Sequence, residues 1–166
     1  MPATRHDLFQ RLHALAIRSE TIEHDAVFTV AESARLERRL HGGHTKNLFL
    51  KDRKDRLFLV VALDSTAIDL KALHKSLGSD RLSFGKPELL MQVLGVPPGS
   101  VTPFALINDT EARVTVVLDA DMMHHECLNF HPLVNTATTN ITREDLMRFI
   151  RSCGHEPRIV DLKAAC

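Results

Sequence analysis

A chain of 166 residues, 44% apolar and 25% charged, has the length for a real core and is too apolar to stay disordered. Its 21 Lys+Arg against 21 Asp+Glu exclude a protein that gathers polyanions by bulk positive charge, while a local basic patch stays open. Neither a membrane span nor a signal peptide is expected: the longest apolar run is only Leu57 to Leu63, and Asp7 interrupts the start.

Thr4 caps a first helix expected to reach Ile17, with Leu8, Phe9, Leu12 and Leu15 on its apolar stripe. Thr21 to His24 reads as a short strand. The capping-box pattern Thr29-Val-Ala-Glu32 opens a second helix through Leu40, ended by Gly42-Gly43. Apolar runs at Thr45 to Leu50 and Leu57 to Leu63 flank the charged tip Lys51-Asp-Arg-Lys-Asp-Arg56 and predict a hairpin. Helices follow from Asp69 to Leu77 and from Lys86-Pro87 to Leu94, stopped by Gly78 and Gly95. Residues 96–103, rich in Pro and Gly, form an ordered loop. Strands are expected at Phe104 to Ile107 and Arg113 to Leu118 about an Asn108-Asp109 turn, then a helical turn or two between Asp119 and Glu126. Leu128 to Ile141 has the β-branched content of a strand, with Pro132 as a break or edge inside it. Thr142 caps a last helix to Cys153, and Arg158 to Leu162 is a closing strand. Hairpins mixed with helices, without strict alternation, predict one α+β domain over residues 1–166, built on a mixed or antiparallel sheet.

Chemistry concentrates in three stretches. In His41-Gly-Gly-His-Thr-Lys-Asn-Leu-Phe-Leu-Lys-Asp52, strand alternation puts Lys46 on one face with Leu48 and Leu50. An ammonium there either finds a charged or carbonyl partner in a cleft or snorkels into water. In Cys127-Leu-Asn-Phe-His-Pro-Leu-Val-Asn-Thr-Ala-Thr-Thr-Asn-Ile141, His131 sits among neutral donors and acceptors suited to a hydroxyl- and carbonyl-rich ligand, or simply in a Thr-rich strand. The loop Gly99-Ser-Val-Thr-Pro103 can present backbone N–H groups in fixed directions. His124-His125-Glu126-Cys127 holds zinc-ligating residue types, but HExxH and CxxC spacings are absent, so neither metal nor other cofactor is expected. The three cysteines, Cys127, Cys153 and Cys166, read as reduced thiols of a cytoplasmic protein.

Taken in order, His24-Asp-Ala-Val-Phe-Thr-Val30, His44-Thr-Lys-Asn-Leu-Phe-Leu-Lys-Asp52, Gly99-Ser-Val-Thr-Pro103 and Asn129-Phe-His-Pro-Leu-Val-Asn-Thr-Ala-Thr138 resemble the YbaK/prolyl-tRNA-synthetase-associated editing domain family. The Lys-Asn pair, the LFLKD continuation and the NFHPLVNTAT stretch look like its ProXp-ala (PrdX) branch. That resemblance implies a mixed, largely antiparallel, barrel-like sheet surrounded by helices. It also implies a free-standing hydrolase that deacylates alanine wrongly attached to proline tRNA. Carried over by motif, Lys46, Asn47, Gly99 and His131 are the catalytic candidates, Ser100 and Pro103 belong to the substrate loop, and Lys51 and Arg81 would touch the acceptor end. Val27 and Phe28 are the expected pocket walls. The implied partner is the acceptor end of mischarged tRNA(Pro), with prolyl-tRNA synthetase or an elongation factor as candidate helpers and no membrane. A deacylase for cysteine or serine, and a non-catalytic tRNA- or synthetase-binding module, are the alternatives.

Overall fold

Two apolar runs separated by a charged tip set the centre of the sheet. The computed structural model describes residues 1–26 and 40–165, so the second helix expected from Thr29 and the wall residues Val27 and Phe28 lie outside the described residues. Strand β2 (Gly43–Asp52) pairs antiparallel with β3 (Leu57–Leu63) from Thr45↔Leu63 to Lys51↔Leu57. The tip is tied by Asp52, whose buried carboxylate accepts from the backbone N–H of Lys54 and Arg56 and, at 2.7 Å, from Arg56 Nε. Burial acts to raise the Asp52 pKa, yet these donors and the N–H of Asp80 hold the carboxyl below its usual range.

Around this hairpin the chain adds α1 (Arg5–Ala14), β1 (Glu20–Glu23), α2 (Leu70–Leu77), β4 (Leu82–Phe84) and α3 (Pro87–Leu94). Then come β5 (Val114–Asp119), β6 (Cys127–Phe130), β7 (Ala137–Thr142), α4 (Arg143–Ser152) and β8 (Arg158–Val160). The sheet runs β1-β7-β6-β2-β3-β5-β8, with β4 also on β2. The β1/β7, β7/β6, β2/β3 and β2/β4 pairs are antiparallel, whereas β2/β6, β3/β5 and β5/β8 are parallel. The sheet is therefore mixed and largely antiparallel, with helices packed on it, as expected.

Both faces of the central strands are buried, which explains the near-continuous apolar runs. Leu57, Leu59 and Val61 of β3 enter the larger core, which also holds Leu8 and Leu12 of α1, Leu90 of α3 and Leu146 and Phe149 of α4. Phe58, Val60 and Ala62 face the smaller one, with Leu73 and Leu77 of α2 and Leu162. Along β2 the same alternation sends Phe49 to the first core and Leu50 to the second.

Three expectations are corrected. The first helix stops at Ala14 because Ala16 turns left-handed (φ 56°) and the N–H of Ile17 bonds to the carbonyl of Leu12 at 2.9 Å, a Schellman closure. Phe104 to Ile107 is not a strand but part of a 3₁₀ helix, Pro103–Asn108, because Pro103 fits the first helical position and the Thr102 hydroxyl accepts from Phe104 N–H. A short run buried all round reads alike as strand or helix turn. The 128–141 stretch is a hairpin of β6 and β7, with Pro132 in the connecting turn.

At the centre of the larger core, Phe104 meets Phe130 and Phe149 edge-on at 5.9 and 5.4 Å between ring centroids. Phe104→Ala should cost about 3–5 kcal/mol of unfolding free energy, and Phe104→Leu clearly less, measured by urea denaturation.

Candidate functional site

One edge of β2 is taken by β3 through Thr45 to Lys51. The other edge is shared: β6 pairs with Gly43 and His44, and β4 with Leu50 to Asp52. Between them, among the described residues, Thr45 to Leu48 have no strand on that edge, and Lys46 and Asn47 stand in this gap. The approach of β6 depends on glycine. Gly42 has φ 93°, and a Cβ there would lie 2.1 Å from the carbonyl oxygen of Cys127.

Lys46 lies opposite Ala62, so it shares the face of Leu48 and Leu50, as the alternation predicted. Its ammonium takes carbonyl partners: Nζ donates to Thr66 O at 2.5 Å and to Asp64 O at 3.4 Å. Among the described residues it forms no ion pair. Asn47, one residue on, lies opposite Val61 and faces the larger core. The Lys-Asn pair is therefore split across the sheet. Among the described residues, Asn47 Nδ2 makes only a long 3.4 Å bond to Thr45 Oγ1, and the buried Oδ1 has no partner. A buried amide oxygen left without a donor is an acceptor site for an incoming N–H or O–H.

His131 follows β6 directly. Because β2 and β6 run parallel with His44 opposite Asn129, Lys46 and His131 each stand two residues beyond the same pair and leave the same end of that contact. The His131 ring bonds through Nδ1 to the carbonyl of Ala137 at 2.9 Å. A carbonyl only accepts, so Nδ1 carries the proton and the neutral ring presents a lone pair on Nε2. Burial pushes the His131 pKa below the usual histidine value, the Ala137 carbonyl opposes this, and nearby His24 adds to the lowering. The two rings lie 6.1 Å apart, and His24 Nε2 reaches Thr138 Oγ1 at 2.8 Å.

The glycine–proline bend approaches the β6–β7 turn: a Cβ on Gly99 (φ 93°) would meet Asn135 Nδ2 at 3.5 Å. Ser100 is buried and its N–H closes a turn onto Pro97 O at 3.1 Å. Pro103 is buried at the start of the 3₁₀ helix. Among the described residues, no hydrogen bond takes the N–H of Gly99, Val101 or Thr102. Three backbone donors of the bend thus have no protein acceptor among the described residues.

The two acceptor-end candidates differ. Arg81 is exposed, whereas Lys51 pairs with Asp55 at 3.4 Å. Reading the sequence for reactive residue types passed over His24, although it opens one of the motif segments, and also Thr66, which no residue pattern marks. Clefts lined by described residues at Asn108–Arg113 and along Phe9 to Thr21 contain none of the expected site residues.

The family model for the aminoacyl-tRNA editing domain matches residues 24–149. The chain is 42% identical over 158 residues to prolyl-tRNA synthetase associated domain-containing protein 1 of Danio rerio, spanning 94% of this chain and 86% of that protein. It is 37% identical over 153 residues to prolyl-tRNA editing protein ProX of Acetoanaerobium sticklandii, spanning 92% and 93%. A crystal structure described as a candidate trans-editing enzyme for prolyl-tRNA synthetase shares the fold with TM-score 0.72 at 18% identity, over 98% of this chain and 99% of that one.

Because the folded pKa of His131 is depressed, the unfolded chain binds more protons between the two values. Stability from this group is present above the unfolded value and is lost as pH falls through the folded one. His131→Gln should therefore lose less stability than the wild type between about pH 7 and about pH 5, read from urea midpoints of both proteins at each pH.

Proposed function

This chain belongs to the aminoacyl-tRNA editing domain family, and from that premise we propose that it is a trans-editing hydrolase that removes alanine from mischarged tRNA(Pro). The supporting observation is Lys46: a cation without a carboxylate partner among the described residues, held on two carbonyls beside a gap in the sheet. Such a cation suits the terminal nucleotide of an acceptor end, whose phosphate or ribose oxygens supply the missing negative or polar partner.

An aminoacyl ester is already activated, so the protein needs to position water and stabilise the tetrahedral oxyanion, not to supply a strong nucleophile. In this reading the unengaged N–H groups of Gly99, Val101 and Thr102 face the developing oxyanion. Ser100 and Pro103 hold the bend. The lone pair of His131 Nε2 accepts from water or from the ribose 2′-hydroxyl next to the ester, which assists the attack. The empty Asn47 Oδ1 receives a substrate N–H, with the α-ammonium as its natural donor. The acyl site admits alanine and rejects proline by size, since a tight wall excludes a larger group more strongly than it can exclude a smaller one. Val27 and Phe28 remain the proposed wall, and Lys51 and Arg81 the proposed contacts to the acceptor end. Lys51 must then exchange Asp55 for phosphate.

Labelled alanyl-, cysteinyl-, seryl- and prolyl-tRNA(Pro) test this directly. Alanyl-tRNA(Pro) should be deacylated fastest and prolyl-tRNA(Pro) spared. Faster cysteine or serine release would reassign the substrate, and no turnover with retained tRNA binding would make the protein a binding module. Lys46→Ala should cut deacylation by about 100-fold or more with an unchanged circular-dichroism spectrum. Raising salt should weaken tRNA binding, as phosphate contacts require.

A further inference from the structure

Lys46 is aimed by a turn, and the turn is held by a carboxylate that no motif contains. Asp119, at the end of β5, is fully buried. Its Oδ2 accepts from the Thr66 hydroxyl at 2.6 Å and from the Leu63 N–H at 3.2 Å, and its Oδ1 accepts from the Asp121 N–H at 3.1 Å. Thr66, itself only 4% exposed, offers its carbonyl to Lys46 Nζ at 2.5 Å. The same turn is stitched to β2 by the N–H of Asp64, which donates to His44 O at 2.9 Å. One residue thus reaches both ways: the hydroxyl of Thr66 is fixed by Asp119, and its carbonyl fixes Lys46.

We propose that Asp119 is a positioning residue for Lys46, acting through Thr66: it locks the turn after β3 whose carbonyl oxygens orient the ammonium toward substrate. This rests on the reading of Lys46 as the substrate anchor. A lysine on a four-carbon stem has many rotamers, and an anchor that must find its place after substrate arrives loses affinity to that search. Two carbonyls occupy two of the three ammonium protons and leave the third in a set direction. Carbonyls suit this role better than a carboxylate, because they orient the group without cancelling its charge.

The test reads the lysine itself and not only turnover. In ¹⁵N-labelled protein, the Lys46 ammonium resonance is identified by its loss in Lys46→Arg. Thr66→Val removes the hydroxyl while keeping the shape; it should shift or broaden that resonance and lower kcat/KM on alanyl-tRNA(Pro) by about 10-fold, the worth of a hydrogen bond to a charged group. Thr66→Ser should restore both. On a Lys46→Ala background, Thr66→Val should change the residual rate by less than about 2-fold, because the two changes act through one group. Asp119→Asn should resemble Thr66→Val; if it does not fold, Thr66→Val decides alone. A Lys46 resonance unmoved in folded Thr66→Val, or a full further loss of rate on the Lys46→Ala background, overturns the proposal. If the wild type deacylates no mischarged tRNA(Pro) while the resonance responds as expected, the editing function fails and the positioning of Lys46 stands.

Discussion

Strand β2 is gripped by β3 along one edge but, among the described residues, on the other only near its two ends, by β6 and β4. Everything proposed for the site follows from this uneven grip. The continuous pairing fixes which side chains face which core, so Lys46 and Asn47 are delivered to opposite faces with no freedom to exchange. Among the described residues the other edge carries no strand in the middle, where β6 ends and the chain enters the turn that begins at His131. A strand fully paired on both edges would hide these groups; one paired on neither would not hold them still.

Much of the frame was legible in the sequence because strong local signals agreed with the final packing. Thr4, Asp69 and Thr142 cap α1, α2 and α4 through side-chain oxygens, and Gly78 and Gly95 close α2 and α3 in left-handed conformations. The hairpin around 51–56 was visible from two apolar runs set about a charged tip. What failed was a short, mostly buried segment: Phe104 to Ile107 carries no periodicity, and its 3₁₀ form is decided by Thr102 and Pro103 upstream. Strand β4 escaped notice because three residues with an exposed Phe84 give no pattern.

The candidate site was legible unevenly. Strand alternation placed Lys46 on the face of Leu48 and Leu50, but left open whether its ammonium finds a partner or reaches water. That Asn47 points the other way follows from the same alternation, yet adjacency in sequence suggested a joint role. The partners of Lys46 were out of reach: Thr66 and Asp64 contribute carbonyl oxygens, which every residue has, and Asp119 lies 73 positions along the chain from Lys46. At the hairpin tip Lys51, an expected acceptor-end contact, pairs with Asp55, and Arg56 pairs with Asp52, so both charges are met within the same turn.

The close crossing at Gly42 has a consequence for how such a chain tolerates insertions. With the start of β2 pinned under the Cys127 carbonyl, the count of residues from that crossing to the lysine sets odd or even placement. One residue added or removed there would hand the amine to the larger core and expose the amide in its stead, whereas a change of two would preserve the arrangement. The chemistry is written as parity, and drift in length at this point is constrained more tightly than drift in residue identity nearby.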